Sequence, residues 1–190
     1  MKKRLVQQSL QDLISEDDIA IFLASSKQFS RKIVYGKWFL PVEYSSVNNF
    51  EKEVKKIFGH EKWTILDSQN FPTECLKKPN LTILYEISSL THEYGIDSVR
   101  GYYFMYKRAP SISNFQNLFQ GIFDNELEFV CQHLFKTGAL EKLSSKVKQG
   151  GAWKKYLLRK RQELIPYQFT SLPINGNEVL IYQREGLSRT

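Results

Sequence analysis

Cysteine is almost absent from this chain of 190 residues. Cys75 and Cys131 stand 56 positions apart, too few and too distant for a disulfide scaffold or a cysteine-based zinc site. Long apolar runs are missing too: the longest, Ile19 to Ala24, has six residues, far short of the ~20 a membrane-spanning helix needs. Met1-Lys2-Lys3-Arg4 has the basic character that opens a secretion signal, but Gln7, Gln8, Gln11 and Asp12 stand where its apolar stretch would follow. The chain holds no Gly-rich phosphate loop, no Gly-x-Ser-x-Gly elbow and no Cys-x-x-Cys pair. His60, His92 and His133 are too scattered for zinc-ligand spacing. These absences predict a soluble protein of a reducing compartment, cytoplasmic, away from membranes and needing neither cofactor nor bound metal.

What is present is charge in one place. At 42% hydrophobic and 25% charged residues the chain is an ordinary globular sequence, large enough for one compact domain or two small ones. Its formal charge is +7. Residues 1–135 carry 16 bases and 16 acids, and 164–190 carry two of each. The whole excess therefore lies in 136–163, where Lys136, Lys142, Lys146, Lys148, Lys154, Lys155, Arg159, Lys160 and Arg161 face only Glu141 and Glu163. A block this dense projects positive potential over a Debye length of ~8 Å and attracts phosphates or acidic surfaces. A well-solvated helical face is the simpler reading of the same residues.

The patterning predicts an α+β protein, with a mixed region and small sheet over 1–120 and a basic helical unit closed by a β-hairpin over 121–190. No linker separates them, which is compatible with one shared core. Residues 3–13 read as a short helix, and Ser15 ahead of Glu16, Asp17 and Asp18 as the start of a second. Residues 32–44 read as extended, with Pro41 arguing against a central strand. A helix capped by Asn48 or Asn49 places Phe50, Val54 and Phe58 on one face and Gly59 past its end. Trp63–Leu66, Leu81–Ile87 and Ser98–Lys107 read as strands. Asn125 or Asp124 caps a helix ending near Gly138, a second spans Ala139–Lys148, Gly150-Gly151 break it, and a third runs from Ala152 to Leu164. Asn175-Gly176 between Tyr167–Leu172 and Glu178–Tyr182 is a strong hairpin signal, pairing Phe169 with Tyr182 in a two-residue turn.

The order helix, helix, glycine turn, basic helix, hairpin over 125–186 resembles a winged helix-turn-helix unit. In that family the helix after the turn lies in the DNA major groove and the hairpin touches the flanking backbone. The resemblance puts Lys154, Lys155, Arg159, Lys160 and Arg161 on the groove helix and Lys142 and Lys146 on the helix before it. Seven of the nine bases are lysines, which neutralise phosphate as mobile point charges, so backbone attachment is favoured over base reading. Separately, Arg100-Gly101-Tyr102-Tyr103-Phe104-Met105 resembles the aromatic strand of the RNA recognition motif, whose exposed rings stack on unpaired bases. Core packing accounts better for Tyr102, Phe104 and Tyr106.

Nucleic-acid binding, DNA before RNA, is thus the leading expectation, with Lys142, Lys146, Lys154, Lys155, Arg159, Lys160 and Arg161 as contacts. A non-catalytic adaptor could dock an acidic protein partner on the same face. An enzyme acting on an anionic substrate would need the turn Thr91-His92-Glu93-Tyr94-Gly95, where His92 and Glu93 are the candidate catalytic residues and Glu86, Asp97 and Lys107 lie near in sequence. A small-molecule pocket bounded by Trp38, Phe39, Tyr44 and Trp63 is a further possibility, although the same rings suit a core.

Overall fold

A computed structural model describes residues 14–143, 150–164, 167–174 and 178–183; the helix expected over 3–13 lies outside them. The chain divides into two compact units, Met1–Ile112 and Ser113–Thr190. Both combine helices with a three-stranded antiparallel sheet, so the fold class is α+β.

The first unit is built on the short apolar run. Strand β1 (Ala20–Ser25) is buried along its length between β2 (Gly36–Phe39) and β3 (Trp63–Gln69). Ser15 does not start a helix. The Asp18 amide donates to the Ser15 carbonyl at 3.0 Å and the Ser15 amide donates to the Asp18 carboxylate at 2.7 Å, closing a turn that feeds β1. A run of six apolar residues suits a fully covered strand better than a helix, which buries only one stripe. Ala20, Phe22, Ala24 and Trp38 form one cluster, with Phe22 and Trp38 as cross-strand partners whose rings lie 5.5 Å apart. Trp38 and Phe39 are therefore core residues.

After the short helix α1 (Ser26–Ser30) and β2, helix α2 (Val47–Phe58) buries Phe50, Val54 and Phe58 as its periodicity requires. Each contributes about 1.5–3 kcal/mol by leaving water. Phe39 meets Phe50 and Phe58 at ring separations of 5.8 and 6.5 Å, which seats α2 on the sheet. The cap is Ser46 rather than Asn48 or Asn49: its hydroxyl accepts the Asn49 amide at 3.3 Å.

Two expected strands are helices. Leu81–Ile87 belongs to α3 (Leu81–Tyr94) and Ser98–Lys107 largely to α4 (Ile96–Tyr106). Their β-branched and aromatic content favours strands, but Leu84, Ile87, Leu90, Val99 and Tyr102 are fully buried at three-residue spacings within each segment, a helical period. Asn80 also caps α3 by accepting the Ile83 amide at 2.8 Å. Tyr102 is inaccessible while Phe104 is 47% exposed, so these rings do not share a strand face. The likeness of 100–105 to an RNA recognition strand therefore falls, because the segment is not a strand. His92 and Glu93 occupy the last turn of α3 rather than a loop.

Glu53 ties α2 to the sheet by accepting a hydrogen bond from Lys37 of β2 at 3.4 Å, and it accepts another within the helix from Lys56 at 2.9 Å. The Lys56 hydrogen bond, with help from the Lys56 and Lys37 charges, holds its carboxyl below the usual 4.5. A lowered folded-state value means this stabilisation is complete above about pH 4.5 and is lost as pH falls through the folded value. Thermal melts between pH 7 and pH 3 should thus decline more gently for Glu53→Gln than for the parent chain.

In the second unit, α5 (Ile112–Leu118) begins at the boundary and leads through β4 (Phe119–Phe123), α6 (Glu126–Lys136) and α7 (Gly150–Glu163) to β5 (Tyr167–Ile174) and β6 (Glu178–Gln183). β6 is central, paired antiparallel with β4 on one side and β5 on the other. Asn125 caps α6 by accepting the Leu127 and Glu128 amides at 3.0 and 3.1 Å. At the other end Gly138, at φ +68, donates to Phe135 while the Ala139 amide donates to Leu134 at 2.9 Å, a Schellman closure.

Residues 137–143 then form turns, so the helix expected from Ala139 does not begin there, and 144–149 lie outside the described residues. Gly150 and Gly151, expected as helix breakers, are instead the first residues of α7, where they interrupt no established ladder. The hairpin is one residue out of its expected register: Phe169 faces Ile181 and Gln168 faces Tyr182. The last pair, Ile174 with Glu178, encloses three residues, and the register shifts across the stretch holding Pro173.

Candidate nucleic-acid interface

Helix α7 has two unlike faces. Leu157 is buried with Val130 and Leu134 of α6, and Trp153, Tyr156 and Leu164 pack around them. Trp153 and Tyr156 stack with ring centroids 5.9 Å apart. On its other side α6 contributes Phe129 to a cluster with Phe123, Tyr167 and Ile181, which fixes α6 to the sheet. The α6–α7 pair is thus a braced scaffold, and the opposite face of α7 is open.

That open face carries Lys154, Lys155, Leu158, Arg159 and Gln162, all exposed at helical spacing. The side chains of Lys154 and Lys155 make no hydrogen bond or ion pair with another described residue. Arg159 lies 5.7 Å from the Tyr156 ring and 3.7 Å from Glu163, which orders its guanidinium without burying it. The chain matches no known protein-family model and no curated protein. The reading of this face therefore rests on its geometry and chemistry.

The remaining expected contacts are placed differently. Arg161 donates to Glu126 in the first turn of α6, joining the basic last turn of α7 to the acidic start of α6, where both charges favour the helix dipoles. That hydrogen bond raises the guanidinium pKa further, so its charge is permanent. Lys160 donates to Glu163 and its ammonium lies 5.9 Å from the Tyr156 ring, so it is engaged within α7. The Lys160 hydrogen bond lowers the Glu163 carboxyl, and the charges of Lys160 and Arg159 add to this. Lys142 is exposed in the turns after α6. Lys146 lies outside the described residues.

Leu158 carries no charge and so offers no signal in a search for phosphate contacts, yet it is 45% exposed between the cations. It becomes visible only once the α7 faces are assigned, since Leu157 takes the inward position that either leucine could fill. His92 and Glu93 are exposed on α3, and their side chains make no hydrogen bond or ion pair with another described residue. Among the described residues no three His, Cys, Asp or Glu side chains are grouped to hold a metal, and no described helix is long and apolar enough to cross a membrane.

Proposed function

We propose that this protein binds duplex DNA, with α7 in the major groove. The observation that carries the reading is the exposed stripe of Lys154, Lys155, Leu158 and Arg159 on a helix whose other face is packed against α6. An α-helix of ordinary width fits the major groove, where cations flanking the insertion reach phosphates and an apolar side chain can meet a thymine methyl group. The second unit supports this by its order and pairing. Helix, strand, two helices and a hairpin, with the last strand central in the sheet, resemble a winged helix-turn-helix. Lys160 and Arg161 serve as internal braces in this reading, and Lys142 as a flanking phosphate contact.

The test is fluorescence anisotropy of labelled duplex DNA, single-stranded DNA and RNA over a salt series. Duplex DNA should bind most tightly, with log affinity falling linearly against log salt at about −0.9 per phosphate contact, hence about −3 to −4 for Lys142, Lys154, Lys155 and Arg159. Tighter binding to single strands would remove groove docking. No binding at low salt, together with 1:1 association with an acidic protein, would make the face a protein dock.

A further inference from the structure

The first unit carries 16 bases against 13 acids, and its small excess is not spread evenly in space. Lys77 and Lys78 follow the 3₁₀ turn Thr73–Cys75, and Lys107 and Arg108 follow α4, thirty residues later. The fold brings the two basic pairs to the rim of one recess of about 370 Å³. Its wall is apolar: Cys75, Leu76, Ile83 and Ala109 line it, and among the described residues no acid does. The volume lies within the ~300–1,000 Å³ of small-molecule sites.

Lys77 and Arg108 are held by hydrogen bonds, and the Lys107 ammonium lies 5.4 Å from the Phe104 ring. Lys77 donates from its ammonium to the Lys107 carbonyl at 3.1 Å, clasping one loop to the other. Lys107 caps α4 in the left-handed conformation, its amide donating to Tyr103 at 2.8 Å. Arg108 donates twice, at 3.2 Å, to the hydroxyl of the buried Tyr102. Glu74, the nearest acid in sequence, is engaged by Arg100. The C-terminus of α4 contributes about half a negative charge, which the ammonium groups of Lys77, Lys78 and Lys107 outweigh. Burial, reinforced by Glu74, pushes the Cys75 thiol up to about 12, so it remains neutral at physiological pH and adds no negative charge to the wall.

We propose that this recess is a binding site for a small amphipathic organic anion, its apolar body against Ile83, Leu76 and Ala109 and its acidic head among Lys78, Lys107 and Arg108. The pairing of an apolar wall with cations selects both halves of such a ligand. An inorganic ion would leave the wall wet, and a neutral hydrocarbon would make no use of the Lys78 and Lys107 ammonium groups. The site is independent of the DNA reading, since none of its residues belongs to the second unit.

Two fluorescent probes separate the contributions: anilinonaphthalene sulfonate, and phenylnaphthylamine, which has the same aromatic body without the sulfonate. The intact protein should bind the sulfonate saturably at one per chain and at least about tenfold more tightly than the neutral probe, the worth of a charged hydrogen bond. Lys78→Gln/Lys107→Gln should remove that advantage and leave the neutral probe unchanged. Lys154→Gln/Lys155→Gln should alter neither. Amide chemical shifts should move at Lys77, Lys78, Ile83 and Lys107–Ala109. Equal affinities for the two probes, sulfonate binding that survives the double substitution, or shifts confined to the exposed Phe29–Tyr35 segment would each overturn the proposal.

Discussion

Duplex DNA binding should weaken by at least about 500-fold at 0.1 M salt when Lys154, Lys155 and Arg159 are replaced together by glutamate. At that salt each phosphate contact contributes about 0.9 log unit through counterion release, so three lost contacts remove about 2.7 log units and the new negative charges add repulsion. The salt slope should flatten by about 3. Folding should be little affected. All three side chains are exposed, and the Arg159–Glu163 pair at 3.7 Å is of a surface kind worth no more than about 1 kcal/mol. The same change in net charge made in the first unit at exposed positions, by Lys32→Glu/Lys52→Glu/Lys62→Glu, should reduce binding far less. If the two triple variants weakened binding equally, long-range charge rather than contact by α7 would be the cause. A retained affinity in the α7 variant would remove the proposed interface. Leu158→Ala should leave the salt slope unchanged while lowering discrimination between thymine-containing and other sites, because an apolar contact releases no counterion.

The second unit was the more legible half of this chain, for local reasons. Asn125, Gly138 and the Val130/Leu134 stripe set α6 with caps and period together, and two alternating segments around Asn175-Gly176 announced the hairpin strands. The stretch after Gly138 misled because Leu140 and Leu143 have helical spacing, yet they lie in turns and Leu140 packs on the α6–α7 cluster. In the first unit, residue type and period disagreed. Leu81–Ile87 and Ser98–Tyr106 have strand-like side chains at helix-like burial positions, and packing on one face decided the outcome.

The candidate sites differ in the same way. The α7 face is contiguous in sequence and therefore announces itself as charge segregation. The recess between Lys77-Lys78 and Lys107-Arg108 draws on two segments whose charge is cancelled by neighbours such as Glu74 and Asp97. Only the loop closure that brings α4 back to the 3₁₀ turn exposes it. Cys75 illustrates the limit of composition: its polar neighbours do not mark it as a core residue, yet it is buried because that turn folds it inward.

Gly36→Ala should be the most damaging conservative change in the first unit, costing about 3 kcal/mol. Gly36 pairs with Ala24 across the β1–β2 ladder, and a Cβ there would stand 2.3 Å from the Leu23 carbonyl oxygen and 2.9 Å from the Ala24 Cα. Both are backbone atoms of the fully buried central strand, which cannot move aside without separating from β3 or disturbing the Phe22–Trp38 contact. The expected cost therefore lies at the upper end of the roughly 1–3 kcal/mol of overpacking. At ~4–8 °C per kcal/mol this lowers the midpoint by ~12–24 °C. Gly59→Ala is the informative comparison. Gly59 has φ +60 but nothing within 4 Å of the added methyl, so only the backbone penalty applies, about 1–2 kcal/mol. Thermal melts followed by tryptophan fluorescence in a Trp153→Phe background would read Trp38 and Trp63, both in the first unit. A Gly36→Ala midpoint no lower than that of Gly59→Ala would mean that the β1–β2 ladder can open to admit a methyl group, and that the buried sheet is not the rigid element of this unit.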